Sequence, residues 1–298
     1  MRVTQGMLNN NMLRNVSQSY NQMDKYMDQL STGKKINRPS DDPVVAMRGV
    51  SHRESLAKVE QFERNISEVN SWMDNSDATM NEAGNALHKV RELVIQASND
   101  TYEESQRENI SKEVSQLRDH LKELANTKVN NKYIFNGSNT TEPRFNEDGT
   151  LNVPNPGDAP NNQPVNIEVS EGVRLQANVN PNEVFSQDMF DDLDDLVAKL
   201  EDENATPKEL DSFISDMDQH SQNLVNERAD LGARMNRVEM VEDRLGQQNV
   251  SVSKLMSDNE DADIEEVIMN LKMQESVHRA SLGAGARIMQ PSLLDFLR

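Results

Sequence analysis

Apolar residues recur along most of this chain at steps of three and four. Near the N-terminus Leu13, Val16, Tyr20, Met23, Met27 and Leu30 keep that spacing, which predicts an amphipathic helix that Gly33 would stop. Asp42 is placed to cap the next helix, and Pro43 suits its first position, where no backbone donor is needed. From there Val59, Phe62, Ile66, Val69, Met73, Met80, Ala83, Leu87, Val90, Val94 and Ala97 hold a heptad register interrupted only by Ser76. Residues 44–97 as one helix would span roughly 80 Å at about 1.5 Å per residue, a rod and not a globule. Thr101 and Glu104 form a capping-box pattern ahead of a third helix marked by Ile110, Val114, Leu117, Leu121 and Leu124.

Six prolines (Pro143, Pro154, Pro156, Pro160, Pro164, Pro181) then forbid a continuing helix. Inside this stretch Val165, Ile167 and Val169 alternate with polar residues, as do Val173, Leu175, Ala177 and Val179 after Ser170-Glu171-Gly172. That pattern predicts a hairpin in which Gly172 supplies the positive φ of a three-residue loop. Residues 191–200 suggest a short acidic helix, and Thr206-Pro207-Lys208-Glu209 gives another capping box. After it Leu210, Met217, Leu224, Leu231, Val238, Leu245 and Val252 fall at seven-residue steps. The alternate seam position is mixed: Ile214, Ser221, Arg228, Met235, Glu242, Asn249 and Met256. A last helix over about 264–289 ends before Pro291.

The fold class predicted is mainly α with a small β insert: an elongated antiparallel helical bundle or coiled coil formed by N- and C-terminal arms, plus a central β-rich domain. The expected divisions are an assembly helix and loop over 1–42, a helical arm over 43–136, an outward-facing β-rich insert over 137–185, a second arm over 186–257, and an assembly helix with tail over 258–298. Aromatic residues are only 4% of the chain while Met reaches 16, so a compact core built on large rings is not expected. The narrow terminal helices bury little surface alone, which points to a partner helix.

Charge and cysteine content remove whole classes of function. The net charge of −20 argues against nucleic acid and against an anionic membrane surface, both of which call for basic protein. The longest continuous apolar run, Val44 to Met47, is far short of a bilayer span, and no signal-peptide core opens the chain; any export must use another signal. Zero cysteines exclude a disulfide framework, a thiolate zinc site and a cysteine nucleophile. Residues 1–50 nevertheless hold seven Lys/Arg against four Asp/Glu, so this segment has a different job or a different neighbour from the rest.

Candidate chemistry is thin. Thr32-Gly33-Lys34 lacks the upstream glycine and strand of a phosphate loop, and Gly283 and Gly285 do not complete a dinucleotide fingerprint; close helix packing accounts for them better. His52, His88, His120, His220 and His278 have no metal-ligand spacing, and no serine sits in a nucleophile elbow. The acidic runs 188–195 and 260–266 lack the alternating ligands and central glycine of a calcium loop. No catalytic residue, cofactor or metal is expected.

Two segments at opposite ends carry a resemblance. Leu30-Ser31-Thr32-Gly33-Lys34-Lys35-Ile36-Asn37-Arg38-Pro39-Ser40-Asp41-Asp42-Pro43 resembles the N-terminal signature of the flagellin superfamily. Glu260-Asp261-Ala262-Asp263-Ile264, with the closing Leu293-Leu294-Asp295-Phe296-Leu297-Arg298, resembles its C-terminal half. Asn259 stands where flagellins usually place an aliphatic residue. Met1-Arg2-Val3-Thr4, Tyr133-Ile134-Phe135-Asn136-Gly137-Ser138 and Pro143-Arg144-Phe145 look like the hook-associated branch. The resemblance implies an extracellular structural subunit of the flagellum, cytoplasmic only until it leaves by the flagellar type III channel. Terminal helices of such proteins pair in the assembled flagellum and are typically disordered in the free monomer. Implied partners are hook-associated protein 1, flagellin, copies of the chain itself in a ring, and an export chaperone, with no nucleic acid and no membrane insertion. Assembly contacts are expected at Leu13, Val16, Tyr20, Met23, Met27 and Leu30, at Arg38, Asp41 and Asp42, at Ile264, Ile268, Leu271 and Leu282, and at Leu293, Leu294, Phe296 and Leu297. A filament-forming flagellin and an intracellular coiled-coil chaperone or scaffold remain the competing readings.

Overall fold

Asp42 caps a helix as its position predicts: its Oδ1 accepts the backbone N–H groups of Val44 and Val45 at 3.0 and 3.1 Å. In the computed structural model, which describes residues 5–98, 104–146, 149–153, 160–202 and 206–289, that helix is continuous from Pro43 to Ala97. In chain order the elements are α1 (Gln5–Thr32), α2 (Pro43–Ala97), α3 (Glu104–Ala125), β1 (Lys128–Val129), β2 (Lys132–Tyr133), β3 (Asn166–Ser170), β4 (Val173–Gln176), α4 (Pro181–Val184), α5 (Gln187–Glu201), α6 (Pro207–Glu260) and α7 (Ile264–Met289). The protein is thus mainly helical with two small antiparallel hairpins among the described residues. No described helix is long and apolar enough to cross a membrane. The chain divides into two units, residues 59–247 and residues 1–58 with 248–298.

In the 59–247 unit α2 and α6 lie antiparallel. Asn70 reaches Glu242, Asp77 binds Arg228 through two bonds of 2.9 and 3.1 Å, and Arg91 meets Asp218 at 2.6 Å, so one helix ascends as the other descends. The expected heptad positions of α2 are buried apart from half-buried Phe62, and the firm seam of α6 is buried from Leu210 to Leu245, while its last expected member, Val252, is only half-buried. The mixed seam has a matching explanation, since Arg228 on it finds the carboxylate of Asp77. Glu209 Oε2 accepts the Thr206 N–H at 3.0 Å, which is the reciprocal bond of the expected capping box. Thr101, proposed to cap α3, lies outside the described residues.

Several features depart from the sequence reading. The acidic helix α5 begins at Gln187, not at 191, because the Ser186 hydroxyl accepts the Met189 N–H at 3.1 Å and caps it earlier. Asn130 and Asn131 both adopt positive φ, 49° and 65°, which makes the two-residue turn of a β1–β2 hairpin that the pattern did not reveal. In the β3–β4 hairpin Ser170 pairs with Val173, so the turn is Glu171-Gly172, and an irregularity between Glu168 and Ser170 absorbs the extra residue. Gly172 has the expected positive φ, and its N–H is taken by Glu168 Oε1 at 3.2 Å. Large rings, although few, do build a core. Phe135 packs edge-on against Phe185 and Phe145 against Phe190, with centroids 4.9 and 4.5 Å apart, all four buried. Short strands and single-turn helices offer no long seam of Leu and Met, so rings fill this part of the unit.

Candidate assembly surface

The other unit pairs α1 with α7, antiparallel: Met12 lies against Gly285, and Ser19 bonds Gln274 further along. The terminal helices, which the sequence left without an internal partner, are partners of each other. Their shared seam is modest. On α1 it runs through Met12, Val16, Ser19 and Met23, and on α7 through Val267, Leu271, Gln274, His278, Ser281 and Gly285. Buried Ser19 accepts the Gln274 amide at 3.0 Å, while a Cβ on Gly285 would come within 2.6 Å of Met12 Cε. That close approach is what a glycine in mid-helix permits.

The predicted stripe of α1 is therefore split. Val16 and Met23 enter the seam, whereas Leu13, Tyr20 and Met27, seven residues apart, stay 60%, 59% and 55% exposed, with Leu30 also exposed. On α7, Ile264, Ile268 and Leu282 are exposed and share a face with Leu271 at helical spacing. The Tyr20 ring sits 6.2 Å from the His278 ring. Met23, Met27, Leu30 and Leu271, with Ser31, Lys272 and Glu275, line a groove of about 390 Å³. One side of the helical hairpin thus presents a row of large apolar side chains to solvent. Leu293, Leu294, Phe296 and Leu297 lie outside the described residues, as does Met1-Arg2-Val3-Thr4.

The loop motif takes its shape from its own acids. Asp41 Oδ2 accepts the N–H groups of Asn37 and Arg38 at 3.3 and 2.9 Å, while Asp42 serves as the α2 cap and the Arg38 side chain is exposed. The motif then closes on the second one, Lys34 meeting Asp261 across 227 positions of sequence, through contacts that the sequence did not single out. Lys34 pairs with Asp261 in an isolated bridge, Lys35 N–H donates to Glu260 O at 2.6 Å, and Ala262 N–H donates to Gly33 O at 2.8 Å. Side chains repeat the pairing: Lys34 Nζ is 2.6 Å from Asp261 Oδ1 and 3.7 Å from Glu260 Oε2, and Arg53 Nη2 is 2.6 Å from Glu260 Oε1. Lys35 Nζ donates to Asp258 O, and the Asn259 amide donates to Val45 O on α2 at 3.0 Å. The hydrogen bond from Lys34 holds the Asp261 carboxyl below its ordinary range, and the same bond raises the Lys34 ammonium. The readable signal was charge, since the basic excess of residues 1–50 meets the acidic 258–266.

Nothing in this arrangement performs covalent chemistry, and among the described residues no group of side chains could hold a metal ion. What it can do is pack. Residues 3–140 match the bacterial flagellin N-terminal helical region, and residues 214–297 match the bacterial flagellin C-terminal helical region. Flagellar hook-associated protein 3 of Escherichia coli (strain K12) is 25% identical over 303 residues, covering 95% of this chain and 96% of that one. A flagellin of Clostridium tyrobutyricum is 32% identical over 139 residues, 46% of this chain and 37% of that one. Among solved structures, the flagellar junction protein from Legionella pneumophila shares the fold, with a TM-score of 0.57 at 16% identity over 72% of this chain and all of that one. Carrying both terminal helical regions and joining them as a hairpin with its two signature motifs clasped, the chain belongs to the flagellin family.

Proposed function

We propose that this protein is a non-enzymatic subunit of the junction between hook and filament, forming a ring that seats on hook-associated protein 1 and receives the first flagellin subunits. The observation that carries this reading is the α1/α7 hairpin, whose seam leaves Leu13, Tyr20 and Met27 exposed in one line. A row of that kind is the surface a helical neighbour would cover, since burial of each such side chain stabilises by roughly 1.5–3 kcal/mol. The Escherichia coli relative, aligned over 95% of this chain, is named flagellar hook-associated protein 3, and the Legionella structure is named a junction protein. Export through the flagellar type III channel, with a chaperone on the C-terminal region until then, completes the proposal.

The competing reading within the family, a filament-forming flagellin, is favoured by the 32% match to the Clostridium protein. Immunogold labelling of isolated flagella separates the two. A single band where hook meets filament is the expected result, and label along the whole filament would replace the junction reading with the flagellin one.

A further inference from the structure

We propose that Glu260 is a positioning residue that sets the register of the α1/α7 hairpin by locking the base of that hairpin onto α2; the proposal rests on the reading of the hairpin as the assembly surface. Glu260 is the last residue of α6, and within an acidic, mostly exposed stretch its side chain alone is buried, 8% accessible. Its backbone and its carboxylate are both engaged. The carbonyl accepts the Lys35 N–H, three residues beyond the end of α1, while the carboxylate receives Arg53 from α2 and Lys34 from the α1 loop.

The slot that holds this carboxylate is built for it. Gly49, buried in the middle of an α2 turn, would as any larger residue place a Cβ 2.4 Å from Glu260 Oε1. Glycine is a poor helix former, and its presence here is explained by the close approach of the acid to the helix backbone. Asn259, next in line, adds its amide to the Val45 carbonyl of the same helix. The pin is thus three-way: α2 on one side, the exit of α1 on another, and the entry of α7 four residues later.

Register is what such a pin would supply. The α1/α7 seam is lean in large apolar pairs and carries Ser19, Gln274, His278 and Gly285. Only one alignment brings Ser19 to Gln274 and Met12 to Gly285. A slip of one turn moves the partners by about 5.4 Å and dissolves both contacts. A fixed base removes that freedom, and with it the ambiguity in where the exposed row points, in the same way that a single polar pair selects register in coiled coils.

The chain has no cysteine, so Ser17→Cys and Ala280→Cys, both at exposed positions of the hairpin, introduce a clean spin-label pair for distance measurement in the self-associated full-length protein, diluted with unlabelled chain so that only distances within one chain are read. One narrow distance is expected in the parent. Glu260→Gln, which removes the charge, and Gly49→Ala, which keeps every charge but fills the slot, should each broaden the distribution or add a component displaced by about one helical turn. In a Glu260→Ala background the slot is empty, so adding Gly49→Ala should change nothing further. Fluorescence of Trp72, the single tryptophan, buried in the 59–247 unit, reports that this unit stays folded. Where it does not, Lys34→Gln with Arg53→Gln removes both ion pairs from their more exposed side and is read in the same way. Unchanged distances in Glu260→Gln and Gly49→Ala, or effects of Gly49→Ala that persist at full size in Glu260→Ala, overturn the proposal. Wild-type self-association of a Leu13→Asp chain would instead overturn the assembly reading, leaving the label distances within one chain to judge Glu260.

Discussion

Ser76 interrupts the heptad row of α2, and replacing it by alanine should stabilise the protein. The side chain is fully buried, in a row with Val69, Met73, Met80 and Ala83, and its Oγ meets no hydrogen-bond partner among the described residues. By contrast Thr79, one turn on, bonds the Asn75 carbonyl at 2.8 Å. An unmet buried hydroxyl costs about 1–3 kcal/mol of desolvation. Serine is also a weaker helix former than alanine by about half a kcal/mol. Against these gains stands the void left by one oxygen, on the order of 10 Å³, which at about 24 cal/mol per Å³ costs only about 0.2 kcal/mol. The balance for Ser76→Ala is a gain of about 1–3 kcal/mol. For a unit the size of residues 59–247 each kcal/mol moves Tm by about 2–4 °C, so a rise of about 2–12 °C is expected. Thermal unfolding followed by Trp72 fluorescence and by near-ultraviolet circular dichroism measures it. Thr79→Val should move the other way, because it deletes a bond that is made. A Ser76→Ala protein less stable than the parent would refute the reasoning, showing that the hydroxyl has a partner such as a water shared with Trp72 Nε1, four residues earlier and also unbonded.

On the assembly surface, Leu13→Asp with Met27→Asp should leave the Trp72 transition within about 0.5 kcal/mol of the parent, since both side chains are exposed, while abolishing self-association in sedimentation; association at parental strength contradicts the surface. The clasp should also depend on pH at both ends of the scale. Asp261 titrates below its ordinary 3.8 in the folded chain, so its contribution is whole above that value and fades as acid takes pH down through the folded one; Lys34 titrates above 10.5, so its share is whole below that and fades as alkali passes it. The Ser17/Ala280 label distance should therefore be narrow between these limits and broaden outside them, and a distance that sharpens in acid would contradict the ion pairing.

What could be read in the sequence follows from how local each determinant is. The α2 and α6 cores were legible residue by residue because a heptad repeat writes the buried face of a helix into adjacent turns, and Leu210 through Leu245 did so without exception. Caps at Asp42 and Thr206 were equally local. The phenylalanine cluster was not, since Phe135, Phe145, Phe185 and Phe190 come from separate loops and short helices with no common period. The clasp was the least accessible of all, for although each half is a recognisable segment, the two lie at opposite ends of the chain and nothing in either says that they pair. Its trace was the basic excess of residues 1–50, which invites the inference of an anionic partner. The structure gives a different origin to that charge. Residues 1–58 with 248–298 hold fourteen Lys/Arg and thirteen Asp/Glu, almost neutral, while residues 59–247 hold seventeen and thirty-eight. Lys34, Lys35 and Arg53 are answered by Asp258, Glu260 and Asp261 within one chain. The acidic excess therefore belongs to the unit that carries the hairpins and the aromatic core. The terminal helices, left close to electrically neutral, can approach one another and further helices without the repulsion that a net charge of −20 spread evenly along the chain would impose.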